Sequence, residues 1–513
     1  MIPLRIGTRD QFARLRRGLL ESGFTEESVC RHAGIESIFN FKMHSEGRKQ
    51  GTEAGDSVGV LVRLLMDGEV MAEDEILAHL PAETLRALEE LDVTGRLEGD
   101  ASRVYAKVVL YPVSSLFVAS DRTIPVKGQQ TGPLLEDAVY AAITGNTRRF
   151  LLTMPEWPCD TLLELCAGTG IAAMVAASRF AGKAWACDIT ERSAHFAEFN
   201  RLLNGLDNVV TARGDLYEAV GDLRFDRIVA HPPYVPTVSA KAGLILADGG
   251  DDGEQVFRRI IEELPRRLNP GGTLYCVTMA TDREGEDLEH RIRKWLGENE
   301  GEFDVVLVAT GVERKPEDLL KMLVKGGLKF LEPGPTSKLY QRLKVTGVYY
   351  GAVVLRRKTE TRPAATGRIK RSSDAGAEAI DWFLRWESEA AKPGFLARLL
   401  SSKPRYSPTL QMRVTHSVRD GALTPTNFEV KSEYPYEMEA ECPGWLAVML
   451  GDCDGTRTLA EIYEEQRSQE MIPPEMGPED LAADFRLLFS AGLLELDGFP
   501  LPRSADAAAD SGG

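Results

Sequence analysis

The residues best suited to chemistry lie in a proline-rich turn, where residues 230–236 read AHPPYVP directly after the apolar stretch FDRIV. Neither proline has a backbone N–H, so a strand must end here and a rigid turn must follow. His231 can accept a hydrogen bond or a proton, the carbonyl of Pro232 can accept a hydrogen bond, and Tyr234 can stack on a planar group. The turn is therefore either a binding site for a planar polar group or simply the end of a strand.

A glycine-rich turn is the second candidate site. The run LLELCAGTGI at residues 162–171 joins an apolar strand to a helix that begins IAAMVAASRF. Gly168 and Gly170 let the backbone approach a ligand closely, and the helix N-terminus behind them offers unpaired N–H groups. Taken alone, this turn would equally suit the pyrophosphate of a dinucleotide.

Three acidic residues stand at the ends of consecutive apolar segments. Glu164 ends the first, Asp188 ends the second in ACDIT, and Asp215 follows the third in GDLY. A carboxylate at the end of the second strand can accept both hydroxyls of a ribose, and an acid after the third can meet an adenine amine. Because parallel strands end at one edge of a sheet, we expect the three acids to lie together at its carboxyl edge.

Together, ELCAGTG, ACDIT, GDLY and HPPY resemble the motifs of class I S-adenosylmethionine-dependent methyltransferases. The chain is most similar to the small-domain methyltransferases that include the HemK-like protein-glutamine N-methyltransferases. FAEFNRLLNG and ADGGDDGEQVFRRIIEELPRRLNPGGTLY carry the likeness further, over about residues 137–310. The resemblance implies S-adenosylmethionine as cofactor. The residues that it implies for the cofactor are Glu164, Cys166, Ala167, Gly168, Thr169, Gly170, Asp188, Ile189, Asp215, Leu216 and Thr147.

The same resemblance implies that His231, Pro232 and Tyr234 contact the group that is methylated. In the family, the fourth strand ends in Asn-Pro-Pro-Tyr, whose acceptors grip a planar nitrogen and favour its attack on the methyl group. His231 replaces that asparagine. An imidazole accepts a hydrogen bond only when neutral, so we expect activity to rise with pH near the ordinary histidine value of about 6.5. Whether His231 grips an N–H or removes a proton stays open.

Composition bears on the substrate. The 513 residues include 61 basic and 78 acidic ones, for a net charge of -17, which disfavours affinity based on nucleic-acid phosphates. We expect N-methylation of a protein or peptide side chain. The alternatives are an adenine or guanine amino methyltransferase acting on RNA or DNA, and a catalytically silent binding or regulatory protein.

The sequence also bears on location and metals. The N-terminus is charged throughout, and no apolar run is long enough to span a bilayer, so we expect a cytoplasmic protein without membrane contact. The seven cysteines are scattered without a Cys-x-x-Cys pair, so neither disulfides nor a metal site is expected. The oligomeric state is not indicated.

Apolar strands alternate with helical patterns between Thr161 and Lys358, which predicts an α/β fold with a Rossmann-like, seven-stranded core. The last two strands are expected to form an antiparallel pair, separated by a helical insertion around Glu317 to Leu343. The core is predicted to span residues 126–358.

Helical domains are predicted on both sides of the core. Residues 1–125 resemble a winged helix, and its acidic residues 61–100 favour packing over DNA binding. Residues 359–400 are predicted to be a linker. A basic stretch from Arg356 to Arg371, which overlaps its start, is predicted to be solvated. Residues 401–502 resemble the winged-helix modules that recognise peptides for modifying enzymes, with a dimerisation or capping role as the alternative. Residues 503–513 are expected to be disordered.

Overall fold

A computed structural model describes residues 2–43, 56–123, 135–237, 244–310 and 333–503 of the chain. The described residues fall into two compact units, of which the first comprises 2–278 with 333–339 and the second 279–310 with 340–503. This division follows packing and does not test the predicted domain boundaries, which stay predictions.

The N-terminal part of the first unit consists mainly of helices up to Glu90, with one short strand among them, and of strands after it. The helices are Arg9–Glu21 (α1), Glu26–Ala33 (α2), Ser57–Leu61 (α3), Glu73–Leu77 (α4) and Ala82–Glu90 (α5). The strands are Met71–Ala72 (β1), Thr94–Leu97 (β2), Asp100–Ala106 (β3), Val108–Val113 (β4) and Leu116–Asp121 (β5). Strands β1, β3 and β2 form an antiparallel sheet, and β4 and β5 form a separate, fully buried hairpin. The winged-helix assignment stays a prediction.

A parallel sheet forms the centre of the first unit. Its strands are Cys159–Leu165 (β6), Ala181–Asp188 (β7), Val209–Arg213 (β8), Phe225–Ala230 (β9) and Leu268–Arg283 (β10). They lie in the order β8, β7, β6, β9, β10, and all neighbouring pairs are parallel. The chain therefore reverses its direction of winding between β6 and β9, which is where doubly wound sheets bind their ligands. The first five predicted core strands are confirmed.

Four helices connect or flank these strands. They are Gly145–Thr153 (α6), Ile171–Arg179 (α7), Glu191–Asn204 (α8) and Gln255–Arg267 (α9). Helix α8 begins after Thr190, whose side chain accepts from the backbone of Ser193, and ends at Gly205 in the left-handed conformation. Helix α7 follows the glycine turn directly, so its N-terminus faces the carboxyl edge of the sheet.

The second unit contains the predicted terminal strand pair. Helix Leu288–Leu296 (α10) precedes strand Phe303–Thr310 (β11), which pairs antiparallel with Val345–Arg357 (β12). This pair is confirmed. Of the predicted helical insertion, residues 311–332 lie outside the described residues, and Pro333–Arg342 is a helix.

The basic stretch after β12 differs from the predicted solvated linker. Residues Thr366–Arg371 form a strand (β13) that pairs parallel with β11. Arg362 forms an ion pair with the buried Asp304, at 2.6 Å, and Arg368 forms one with Asp282, at 2.7 Å. Acidic residues that precede this stretch in sequence thus neutralise its charge and hold it in the fold.

The C-terminal part of the second unit contains the helices Gly444–Gly451, Leu459–Ser468 and Pro478–Ser490. Helix Ala377–Ala390 lies within the predicted linker, and it buries Trp382 and Trp386, whose rings stack at 5.8 Å. The remaining elements are the helix Phe395–Leu400, the paired strands Arg405–Tyr406 and Leu494–Glu495, and a sheet of Gln411–Arg419, Ala422–Ser432 and Met438–Cys442.

The peptide-recognition role of the C-terminal domain stays a prediction, and the expected disordered tail falls on residues 504–513, outside the described part of the chain. None of the described helices combines the length and apolar character needed to span a bilayer.

Candidate active site

One cavity of about 550 Å³ opens where β6, β7, β8 and β9 end. Its volume is within the range of small-molecule sites. Residues predicted from the sequence to form the site contribute to its lining: Thr147, Glu164, Cys166, Ala167, Gly168, Thr169, Asp188, Ile189, Asp215, Leu216, His231, Pro232 and Tyr234. Gly170 is not part of the lining and instead forms the N-cap of α7.

The two glycines of the turn after β6 have different surroundings. Gly168 has a φ of +53°, and a Cβ built on it would meet none of the described atoms within 4 Å. A Cβ on Gly170, whose φ is +76°, would lie 3.2 Å from the Cβ of Ala197 and 3.4 Å from that of Ala186. Gly168 therefore presents open backbone to the cavity, whereas Gly170 allows the turn to pack closely on its neighbours.

Glu164 lies beneath the start of α7. Its Oε2 accepts from the backbone N–H of Ala173 at 2.7 Å, and its Oε1 accepts from that of Ala172 at 3.3 Å. The side chain is buried, and this burial, together with the charge of Asp188, raises the pKa of Glu164 to about 8. Glu164 thus caps the helix behind the glycine turn, and its predicted contact with the cofactor stays a prediction.

Asp188 connects the end of β7 to both neighbouring segments. Its Oδ2 accepts from the backbone N–H of Gly168 at 2.9 Å, and its Oδ1 accepts from that of Thr190 at 3.1 Å. The carboxylate is half-buried and lines the cavity. It therefore holds the glycine turn in position and faces the cavity, and its contact with a ribose stays a prediction.

Arg259 on α9 is a residue of the site that the sequence did not reveal, because it occupies an ordinary position on an amphipathic helix. Its Nη2 lies 2.9 Å from Oδ2 of Asp215. The hydrogen bond to that carboxylate raises the pKa of Arg259. Among the described residues that line the cavity, Arg259 is the only Lys or Arg, against five acids: Asp137, Glu164, Asp188, Asp215 and Asp248. The lining therefore suits a cationic or neutral ligand better than a polyanion.

His231 lies between two aromatic rings at the end of β9. Its ring centroid is 5.5 Å from that of Phe150 and 6.0 Å from that of Tyr234. Its Nε2 is fully buried and has no hydrogen-bond partner among the described residues. Burial lowers the pKa of His231 to about 4, so the ring is neutral at physiological pH. A buried nitrogen without a partner is unfavourable, so a bound polar group would stabilise it.

An apolar rim surrounds the cavity near His231. Tyr140, Ile245 and Leu246 line the cavity, and between 38% and 42% of each side chain's surface is exposed. The backbone N–H of Ile245 donates to the carbonyl of Glu136 at 3.0 Å, which joins the two segments that carry the rim. These residues lie in loops that carry no distinctive sequence motif, so the sequence did not identify them as part of the site.

This arrangement fits S-adenosylmethionine. Gly168 leaves backbone open to a ligand, Asp188 and Asp215 provide carboxylates for hydroxyl and amine groups, and the acidic lining suits a sulfonium cation. A parallel sheet that bears this turn, these acids and a proline-rich turn at its carboxyl edge defines a Rossmann-like class I methyltransferase domain.

Comparison with known proteins shows what the chain resembles. Residues 140–305 match the family model of the methyltransferase small domain. A ribosomal protein uL3 glutamine methyltransferase from Bradyrhizobium diazoefficiens is 35% identical over 162 residues, covering 29% of this chain and 50% of that protein. A release factor glutamine methyltransferase from Geobacter sulfurreducens is 41% identical over 75 residues, covering 13% of this chain and 26% of that protein.

The matched segment thus spans half of the length of the first relative and about a quarter of the second. Among solved structures, a ribosomal protein L11 methylase from Lactobacillus delbrueckii subsp. bulgaricus aligns with a TM-score of 0.25 and 20% identity, over 42% of this chain and 80% of that chain.

Proposed function

We propose that this protein is an S-adenosylmethionine-dependent methyltransferase that methylates a nitrogen of a protein or peptide side chain. The observation that carries the proposal is that the open glycine turn and the HPPY turn line one cavity at the switch point of the sheet. When bound, S-adenosylmethionine supplies an electrophilic methyl group. Gly168, Asp188 and Asp215 would hold it, and His231, Pro232 and Tyr234 would hold the acceptor.

The state of His231 favours one of its two roles. With a pKa near 4, the imidazole holds a proton poorly at neutral pH and would be a weak general base. Its buried, unpartnered Nε2 is instead suited to a hydrogen bond with the acceptor group. The carbonyl of Pro232 would accept a second hydrogen bond from the planar nitrogen, and the ring of Tyr234 would stack on the planar group.

A protein or peptide substrate is supported by the named targets of the two relatives and by the charge of the site. Ribosomal protein uL3 and release factors are the substrates that those relatives are named for. Apart from the protonated Glu164, the described lining has four aspartates against one arginine, which disfavours a nucleic-acid acceptor because its phosphates would be repelled. The basic stretch from Arg356 to Arg371, a possible binding surface for phosphates, has Arg362 and Arg368 in ion pairs with acidic residues.

The test is incubation of the full chain with isotopically labelled S-adenosylmethionine and pools of ribosomal proteins, release factors and RNA, followed by mass spectrometry. We expect label on a side-chain nitrogen of a protein. Label confined to RNA would replace this proposal with the nucleic-acid alternative. Failure of the protein to bind S-adenosylmethionine in calorimetry would refute methyltransferase activity altogether.

A further inference from the structure

The side chain of Asn200 joins the glycine turn to a strand outside the parallel sheet. Its Nδ2 donates to the backbone carbonyl of Thr169, in the turn, and to that of Ala119, on β5, both at 3.1 Å. Its Oδ1 accepts from the backbone N–H of Ala119 at 2.7 Å. Asn200 is completely buried, so these bonds have no competition from water.

Strand β5 is well placed to serve as a fixed support. All six of its residues are buried, and it pairs along its whole length with β4. Asp121, the last residue of β5, also forms a buried ion pair with Arg192 near the start of α8. Because β5 is held by both β4 and α8, it moves little. A side chain that is hydrogen-bonded to β5 is therefore restricted in its motion, and so are the groups that it binds.

Asn204, one helical turn further along α8, provides a natural comparison. Its Oδ1 accepts from the backbone N–H of Phe117 on β5 at 2.9 Å, and its Nδ2 donates to the carbonyl of Phe117 at 2.7 Å. Its other bond, at 2.8 Å, goes to the carbonyl of Asn200 in the helix itself. Both asparagines therefore bind β5 in the same way, and Asn200 differs by its bond to the glycine turn.

We propose that Asn200 is a positioning residue for cofactor binding, which fixes the carbonyl of Thr169, and with it the open face of the turn at Gly168, against β5. The N-terminal hairpin is in this way a structural part of the cofactor site. The inference rests on the proposed function, because it takes the turn to be the place where S-adenosylmethionine binds.

The experiment compares Asn200→Ala with Asn204→Ala in the full chain. Each variant loses three buried hydrogen bonds, so we expect similar losses of thermal stability. Calorimetry with S-adenosylmethionine should show a Kd raised about tenfold for Asn200→Ala and little changed for Asn204→Ala. If both variants bind equally well, or lose affinity in equal measure, the positioning role is refuted.

Hydrogen exchange provides a readout that does not depend on the cofactor. In the unliganded protein, the backbone amides of Gly168 and Gly170 should exchange faster in Asn200→Ala than in Asn204→Ala. Equal exchange would overturn the inference. If the wild-type chain does not bind S-adenosylmethionine, the proposed function fails, and the exchange comparison alone decides the role of Asn200. Should the alanine variants not fold, the pair Asn200→Ser and Asn204→Ser replaces them.

Discussion

The carboxylate of Asp188 accepts a hydrogen bond from the backbone N–H of Gly168, with 2.9 Å between Oδ2 and N. The acid that ends β7 therefore shapes the turn that follows β6, in addition to its predicted contact with the ribose of the cofactor. These two roles involve different chemical properties of the side chain. Bracing the turn requires an acceptor oxygen, whereas binding two hydroxyl groups favours a full carboxylate.

Substitution of Asp188 should separate the two roles. Asp188→Ala removes both, and we expect calorimetry to show a loss of S-adenosylmethionine affinity on the order of 100-fold. Asp188→Asn keeps an oxygen for the N–H of Gly168 and should bind more tightly than the alanine variant, but more weakly than wild type. Unchanged affinity in Asp188→Ala would show that Asp188 is not a cofactor ligand.

The parts of the site that the sequence predicted are those encoded locally. Apolar segments that end in Glu164, Asp188 or HPPY predict strands whose carboxyl ends carry function, because parallel strands place those ends at one edge. The structure brings these residues into one cavity. Gly170 was included with them because spacing alone does not distinguish a glycine that faces a ligand from one that allows close packing.

The parts that were missed depend on contacts between residues distant in sequence. Phe150 buries the ring of His231, so the low pKa of that histidine cannot be foreseen from HPPY itself. Similarly, the stretch containing Arg362 has the composition of a solvated linker. Its place in the fold depends on the pairing of β13 with β11 and on ion pairs such as that of Arg362 with Asp304, and all of these partners are distant in sequence.

The low pKa of His231 predicts a distinctive pH profile. Since the neutral ring is the competent form, the methylation rate should show no ionisation of this group near pH 6.5 and should fall only as the pH approaches about 4. His231→Asn retains a hydrogen-bonding group and should keep much of the activity, whereas His231→Ala should lose most of it. A wild-type transition near pH 6.5 that disappears in His231→Asn would contradict this assignment.

Glu164 should make stability depend on pH in the neutral range. Its folded pKa of about 8 lies above the unfolded value of about 4.5, so its contribution is fully present below pH 4.5 and is lost as the pH rises through 8. Glu164→Gln cannot ionise and does not lose this contribution. The unfolding free energy of the variant minus that of wild type should therefore increase by several kcal/mol between pH 5 and pH 8. Urea unfolding of both proteins at several pH values measures this. A difference that is constant across that range would show that Glu164 is not protonated in the fold.

The buried ion pair between Asp121 and Arg192 leads to a prediction about stability. Oδ2 of Asp121 accepts from Nε of Arg192 at 2.6 Å and from the backbone N–H of Val139 at 2.8 Å, and both side chains are nearly inaccessible to solvent. Asp121→Ala would leave a buried guanidinium without its carboxylate, and should lower the unfolding free energy by about 3–5 kcal/mol. The control is Glu156→Ala, which breaks an exposed pair with Arg179 and should change stability by less than about 1 kcal/mol.

Urea unfolding of the two variants beside wild type tests this difference between a buried and an exposed pair. Asp121→Asn is informative as a third variant, because its oxygen can still accept from Val139 while the negative charge is lost. We expect it to lie between wild type and Asp121→Ala, since the remaining side-chain oxygen can still accept a hydrogen bond from Arg192. If Asp121→Ala proves no less stable than Glu156→Ala, then the anchoring of the hairpin to α8 does not depend on this ion pair. The support for β5 must then come from its pairing with β4, the asparagine contacts and apolar packing.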